Sequence, residues 1–289
     1  MGLDFVVRQL MNGLTLSVVL ILIALGLSII YGLMKILNMA HGDFFILGAF
    51  IVVWVSKAGG SFWLGLVLAP IGLGLLGLAL EKLFPKLLYT NPTVTILATW
   101  GLGMIIRQSL RIAMGPRPLV VANPFPGSVR LFVVNYPAYR VFIIVVGALI
   151  IAGIVLLYLR TSFGLQIRAA IHDREMTMAL GINTHRINSL SFIIGSALAG
   201  LAGALLSPLI PVGPLTGLTY LIKCFYVIIV GGAGSVFGAT LGGFVIGGGE
   251  SLLQFALSPL MAEILILIIA VIIISIKPQG LSSGGDKSR

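Results

Sequence analysis

Apolar residues run in long blocks along this chain, and polar residues gather in the gaps between them. Nine blocks stand out: 10–33, 35–56, 62–80, 93–113, 139–159, 188–210, 219–233, 236–257 and 260–277. A helix needs roughly 20 mainly apolar residues to cross a bilayer core, and most blocks approach that length. The pattern predicts an all-α, polytopic transmembrane helical bundle of about nine apolar segments, eight to ten in range. The seventh block is short. In the second, the uninterrupted apolar part runs only from Phe44 to Val55, which spans about 18 Å at ~1.5 Å per residue. That block must recruit the polar stretch Lys35–Asp43 to cross, or it is a half-helix. The first block reads as a retained span, because Asp4 and Arg8 precede it and no small-x-small cleavage site follows.

Two gaps are long enough to hold structure of their own. Met114–Ala138 contains Pro116, Pro118, Pro124, Pro126 and Pro137, so it cannot be a long helix and reads as a structured loop. Arg160–Ile187 has no proline and carries Gly164 and Gly181 near its ends. It reads as short helices bounded by turns. Residues 1–289 then form a single transmembrane domain, with one loop at about 160–187 as its main extramembrane element.

Composition narrows the class. Hydrophobic residues make up 58% and charged residues 9%, where soluble chains carry roughly 25% charged. Mean hydropathy is +1.15. A soluble enzyme, a nucleic-acid-binding domain and a disordered chain are excluded. The net charge of +10 then speaks for topology and anionic lipid head groups, not for nucleic acid. Placing the 160–187 loop in the cytoplasm puts the N-terminus outside and the C-terminus inside. The inner face then holds Lys35, Lys82, Lys86, Arg160, Arg168, Arg174, Arg186, Lys277, Lys287 and Arg289, against Arg8, Lys57, Arg111, Arg117, Arg130 and Arg140 outside. That bias has the expected sign. Cys224 is the only cysteine, which leaves no internal disulfide and no cysteine-rich metal site.

No phosphate-binding Gly-Lys pair and no His-Glu-x-x-His occurs, and His41, His172 and His185 lack metal-ligand spacing. Gly72-x-Gly74-x-x-Gly77 fits a dinucleotide fingerprint in letters only. It lies inside an apolar block, where close helix packing is the better account. Catalytic residues, a metal and a cofactor are therefore not expected.

Four polar or glycine-rich features remain. Asn38, His41 and Asp43 crowd the start of the second block, where polar side chains are costly in lipid. They line a translocation path or gate, or else Asp43 caps a helix while Asn38 and His41 bond freed backbone groups. Glu250 and Glu263 lie in or beside apolar blocks and need partners, with Lys223 and Arg107 available. Glu250 joins the path candidates. Gly231, Gly232, Gly234, Gly238 and Gly242 form a packing stripe or a hinge, the 231–235 part being a possible turn. The 160–187 loop offers Ile167, Ala170, Ile171 and Met178 for contact, against lipid or against a soluble partner.

Several of these motifs together resemble the LivH-type permeases of bacterial branched-chain amino-acid ABC importers. Asn38-x-Ala40-His41-Gly42-Asp43 looks like that family's N-x-A-H-G-[DE] signature, and Glu81 matches an acid closing the third span. Gly164, Arg168-Ala169, Asp173-Arg174, Gly181 and Asn183 look like its cytoplasmic coupling loop. Gly231-Gly232-x-Gly234-Ser235-x-x-Gly238 and Gly242-Gly243 match its late glycine-rich segment, and Pro278-x-Gly280-Leu281 its ending. Thr177 departs from the more usual alanine, and Ala98–Met104 matches the fourth span loosely. The resemblance implies a multi-pass permease of the bacterial inner membrane, paired with a second, LivM-like permease. Two cytoplasmic ATPases would dock on the coupling loops and a periplasmic binding protein would deliver substrate. It implies import of branched-chain or other neutral amino acids by alternating access. Urea or short amides are the alternative cargo, and an ion-coupled secondary transporter is a more distant one.

Overall fold

The computed structural model describes residues 3–83, 91–131 and 134–282. Lys86, Lys287, Arg289 and the tail beyond Ser282 lie outside these residues. Each apolar block coincides with a helix: α1 Leu3–Met34, α2 His41–Lys57, α3 Phe62–Leu83, α4 Pro92–Met114 and α5 Ala138–Arg160. The proline-free loop forms two short helices, α6 Ser162–His172 and α7 Arg174–Ala179. Then follow α8 Thr184–Leu206, α9 Thr216–Gly231, α10 Val236–Leu253 and α11 Pro259–Ile276. Six of them, α1, α3, α5, α8, α10 and α11, are long and apolar enough to cross a membrane by length and composition, and α9 is a shorter apolar helix. The proline-rich loop holds an antiparallel hairpin, Ser128–Leu131 with Val134–Pro137, and Leu119 forms an isolated bridge with Val212; the other regular elements among the described residues are helices.

Local chemistry sets the helix ends. Asn91 caps α4 through the Thr93 N–H at 2.9 Å, with Pro92 in the first turn. Ser258 caps α11 the same way, ahead of Pro259. Gly115, at φ +84°, ends α4 with a backbone reversal that residues with a Cβ rarely adopt. Within α10 the turn Phe244–Gly248 widens to a π-helix.

Two three-helix sets are related by inversion. α1 runs antiparallel to α10, with Gly13 against Ser251, Gly247 against Ser17, Gly243 against Ile21 and Gly32 against Gly234. α8 runs antiparallel to α3 in the same way, with Gly200 against Ala69, Gly74 against Ile193 and Gly77 against Ser196. Thus α1 corresponds to α8 and α3 to α10. The intervening α2 and α9 correspond too: Val52 packs on Gly65 of α3, and Val227 packs on Gly242 of α10. The central crossing is α1 on α8, where Gly26 and Gly195 each face the other's carbonyl. Small residues let backbones approach closely and gain dispersion contact that lipid cannot supply. α1 is the hub: Val19 to Leu25 are fully buried.

This inversion answers the question posed by the second block. His41 Nε2 lies 3.0 Å from the Ile23 carbonyl. Ile23 precedes the end of α1 by about 11 residues, or roughly 16 Å. So α2 starts deep inside the bundle, recruiting His41 to Asp43 but not residues 35–40, which lead in from the surface. Residues 207–215 of the other set form the matching lead-in, and α9 starts where α2 does. Gly42 and Gly217 face each other's carbonyl oxygens. Two helix N-termini therefore meet tip to tip in the interior.

Candidate functional site

The buried start of α2 carries the polar cluster that the sequence singles out. Asn38 and Asp43 are each 1% exposed and His41 is fully buried. Asn38 Oδ1 accepts the Ala40 N–H at 3.0 Å. Ala40 is the N-cap of α2 and makes no side-chain cap, so the expectation that Asp43 caps this helix is not met. Asp43 turns sideways because Arg107 of α4 reaches it. Arg107 Nη1 donates to Oδ1 at 2.9 Å and Oδ2 at 2.7 Å. The guanidinium also lies 5.0 Å from the Trp100 ring centroid, and Gly103 leaves no space beside Asp43 Oδ2 for a Cβ. Thr99 Oγ1 accepts the Met39 N–H at 3.1 Å. The cluster thus links the α2 lead-in to α4. A carboxylate this deep keeps its charge only with a partner. Asn38 Nδ2 and His41 Nδ1 have no hydrogen-bond partner among the described residues.

Sequence reading missed most of this second half. It offered Arg107 as a partner for Glu250 or Glu263, not for Asp43. Trp100 and Gly103 fell in the stretch that matched the family loosely. The signal was the spacing: Thr99, Gly103 and Arg107 recur every four residues and share one face of α4.

Glu250 sits elsewhere, at the junction of α9, α10 and α11. Lys223 Nζ donates to its two oxygens at 2.7 and 2.9 Å, and Gln254 adds a bond at 3.3 Å. Glu263 stands 3.6 Å from the same lysine and is far more exposed. The structure does not bring Glu250 together with Asn38, His41 and Asp43. Changing Lys223 to methionine should strand Glu250 and cost about 3–5 kcal/mol, whereas Glu263→Gln should cost under ~1 kcal/mol. Thermal melts of the detergent-purified chain read both.

The glycine stripe is corrected in part. Gly238 packs on Gly231, and Gly242 packs on Val227 of α9. Gly234 is not on that helix. It lies in the α9–α10 turn at φ +85°, and Gly232 stands there at φ +108°. Ser235 begins α10 by accepting the Gly238 N–H at 2.9 Å.

In the 160–187 loop, several singled-out residues shape the backbone. Thr161 caps α6 at the Gly164 N–H (3.1 Å), and a Cβ on buried Gly164 would overlap the Tyr158 carbonyl. Asp173 accepts the Met176 N–H at 2.9 Å and starts α7. Asn183 accepts the Arg186 N–H at 3.0 Å and starts α8. Gly181 takes φ +80° between them. The Ala169 carbonyl accepts the Asp173 N–H at 2.9 Å, and Arg174 is half-buried at the first turn of α7. Arg168 folds back, donating to the Tyr158 carbonyl with its guanidinium over the Tyr158 ring. Ile167 and Ala170 are buried against the bundle. Leu165, Met176, Met178 and Leu180 are left on the outer surface, 46–72% exposed.

The charged ends separate cleanly. Lys35, Lys82, Arg160, Arg174 and Lys277 lie on the end that carries this loop. Lys57, which approaches Met114 Sδ at 3.7 Å, and Arg140, which donates to Asn12, lie on the other.

Membrane-length apolar helices packed through small residues, with ion pairs buried among them, make this a polytopic helical membrane protein. Residues 9–274 match the family described as branched-chain amino acid transport system, permease component, and the chain belongs to that family. It is 26% identical over 96% of its length to the high-affinity branched-chain amino acid permease protein LivH of Salmonella typhimurium, covering 95% of that chain. It is 27% identical over 95% of its length to BraD of Pseudomonas aeruginosa, covering 94%. LivM of Salmonella typhimurium, a second permease of the same kind of system, is 28% identical over 78% of this chain and 59% of its own. No solved structure matches the chain.

Proposed function

We propose that this chain is the membrane-spanning subunit of an ATP-driven importer that moves branched-chain or other neutral amino acids inward. The observation that carries the reading is the family match over nearly the whole chain. In this reading all nine long helices α1–α5 and α8–α11 lie at membrane depth. The N-terminus is outside, and the C-terminus and the α6–α7 loop face the cytoplasm of a bacterial inner membrane. The likeness to both LivH and LivM supports a heterodimer with a LivM-like permease. Two cytoplasmic ATPases hydrolyse ATP, and a periplasmic binding protein supplies substrate.

The α6–α7 loop takes the coupling role. Its inner face is packed on the bundle through Ile167 and Ala170, so a push on its exposed face moves helices rather than a slack loop. Leu165, Met176, Met178 and Leu180 supply an apolar surface for an ATPase cleft. Asn38, His41, Asp43 and Arg107, at the helix tips, form the gate. A tip-to-tip junction of two broken helices re-packs with little backbone hydrogen bonding to lose, which suits alternating access. Both deep acids, Asp43 and Glu250, are already ion-paired. That leaves less for ion coupling by the chain alone and favours the ATP-driven reading.

Pull-down from native membranes in mild detergent tests the assembly. Two ATPases and a second permease should be recovered with this chain; recovery of the chain alone from a stable preparation would contradict it. Gly181→Pro cannot adopt the positive φ and should cut substrate-stimulated ATP hydrolysis by roughly tenfold or more while membrane insertion is unchanged. Uptake at the unmodified rate would sink the coupling role.

A further inference from the structure

α4 carries one face that does not suit lipid. Arg107, Gln108 and Arg111 lie within one turn of each other along it. Guanidinium groups on a spanning helix turn toward water or protein, not hydrocarbon. This face lines an open cavity of about 570 Å³ between α4 and the segment leading into α9. The volume falls in the range of small-ligand sites, roughly 300–1,000 Å³.

The cavity lining has a cationic part and an apolar part. In the cationic part, Arg107 spends only Nη1 on Asp43; among the described residues no hydrogen bond uses its Nε or Nη2. Arg111 makes no ion pair among the described residues, and both it and Gln108 are exposed to the cavity. Since Asp43 balances one guanidinium, this part keeps a net positive charge. Leu215 adds to it as the N-cap of α9, a terminus with no side-chain cap and hence a positive dipole end. The other part is apolar: the side chains of Met104 and Ile105, which neighbour Arg107 and Gln108 on the same helix, and of Leu215, whose backbone begins α9, are 56%, 65% and 68% exposed.

Forked cationic donors beside an apolar shelf complement a small carboxylate with an aliphatic side chain. We propose that this cavity binds the α-carboxylate of the transported amino acid through Arg111 and Gln108, with Arg107 behind them. Met104, Ile105 and Leu215 hold its aliphatic side chain. The proposal rests on the importer reading above and assigns the substrate contact to α4 rather than to Asn38 or His41.

The test uses the complete importer in proteoliposomes. Native Cys224 is fully buried, so with partner subunits free of accessible cysteines Gln108→Cys supplies the one accessible thiol. Its rates with a negatively and a positively charged methanethiosulfonate reagent are each divided by the rate for free cysteine. The anionic reagent should be favoured by roughly tenfold, and adding Arg111→Gln should erase most of that preference. Without Gln108→Cys, Arg111→Gln should lower leucine uptake by roughly tenfold. Arg111→Lys, which keeps the charge and loses the fork, should restore only part of that uptake, and both variants should still co-purify with the partner subunits. Because Arg111 is exposed and makes no ion pair among the described residues, these variants leave the fold intact. Leucine import by the unmodified complex, with no anion preference at Gln108→Cys and no loss of uptake in Arg111→Gln, would overturn the site alone. A complex with the anion preference that imports no branched-chain amino acid would overturn the substrate assignment and the importer reading together.

Discussion

Replacing Gly42 with valine is expected to remove the folded protein almost entirely. The new Cβ would overlap the Gly217 carbonyl oxygen and crowd the Leu221 Cβ. Both lie on the first two turns of α9, so relief requires moving a helix and not rotating a side chain. Even where side chains can shift, overpacking costs about 1–3 kcal/mol, and each ~1.4 kcal/mol is a factor of ten in population. Here two bulky groups meet backbone at the tip-to-tip junction, and α9 cannot retreat because Val227 and Gly231 already touch α10. Folded yield, read as the monodisperse peak in size-exclusion of detergent extracts, should fall by more than ~tenfold. Gly101→Ala and Gly153→Ala are the controls. Nothing lies within 4 Å of a Cβ at either position, and their yields should match the unmodified chain. Normal yield for Gly42→Val would mean that α2 and α9 do not meet.

The second large effect is expected at the Asp43–Arg107 pair. Arg107→Ala leaves a carboxylate 1% exposed with no cation, and should cost about 3–5 kcal/mol. Asp43→Ala should cost a similar amount by stranding the guanidinium. The double substitution removes both charges, so its loss should fall short of the sum of the single losses by about 1–3 kcal/mol. Denaturant or thermal titration of the purified chain supplies the cycle. Additive losses would mean that the two groups do not interact as the distances of 2.7 and 2.9 Å indicate.

These two sites also mark how far the sequence could be read. Helix positions were legible because lipid imposes one demand, a long apolar run, and each such run became a helix. The uneven second block announced its depth through Lys35–Asp43, although only the His41–Ile23 contact decided that α2 begins inside. The polar residues at that helix start were legible as costly, but their partner was not. Arg107 is 64 residues away in sequence, and a long-range ion pair leaves no local period. The same limit applied to Lys223 and Glu250, where both residues were noticed and only tertiary packing joined them. The inverted repeat left almost no trace in residue identity. Its equivalences rest on backbone approach, Gly42 with Gly217 and Gly26 with Gly195, and glycine is common enough here, at 37 residues, to mask any spacing. Gly234 was readable both ways: its regular spacing from Gly238 and Gly242 suggested a helix face, the 231–235 segment a turn, and a positive φ decides for the turn. The resemblance put Arg168 and Asn183 in the coupling loop without saying what their side chains do: one donates to the Tyr158 carbonyl and the other caps α8.

The measurement that bears most directly on the account is uptake of radiolabelled leucine into proteoliposomes. This chain would be reconstituted alone, and then with the proposed partners: a LivM-like permease, two ATPases and a binding protein. The account predicts no uptake by the chain alone under a pH or sodium gradient, and ATP-dependent uptake only when all components are present. Gradient-driven uptake by the isolated chain, unaffected by ATP, would contradict it and return Asp43, Glu250 and Glu263 to the centre of the mechanism.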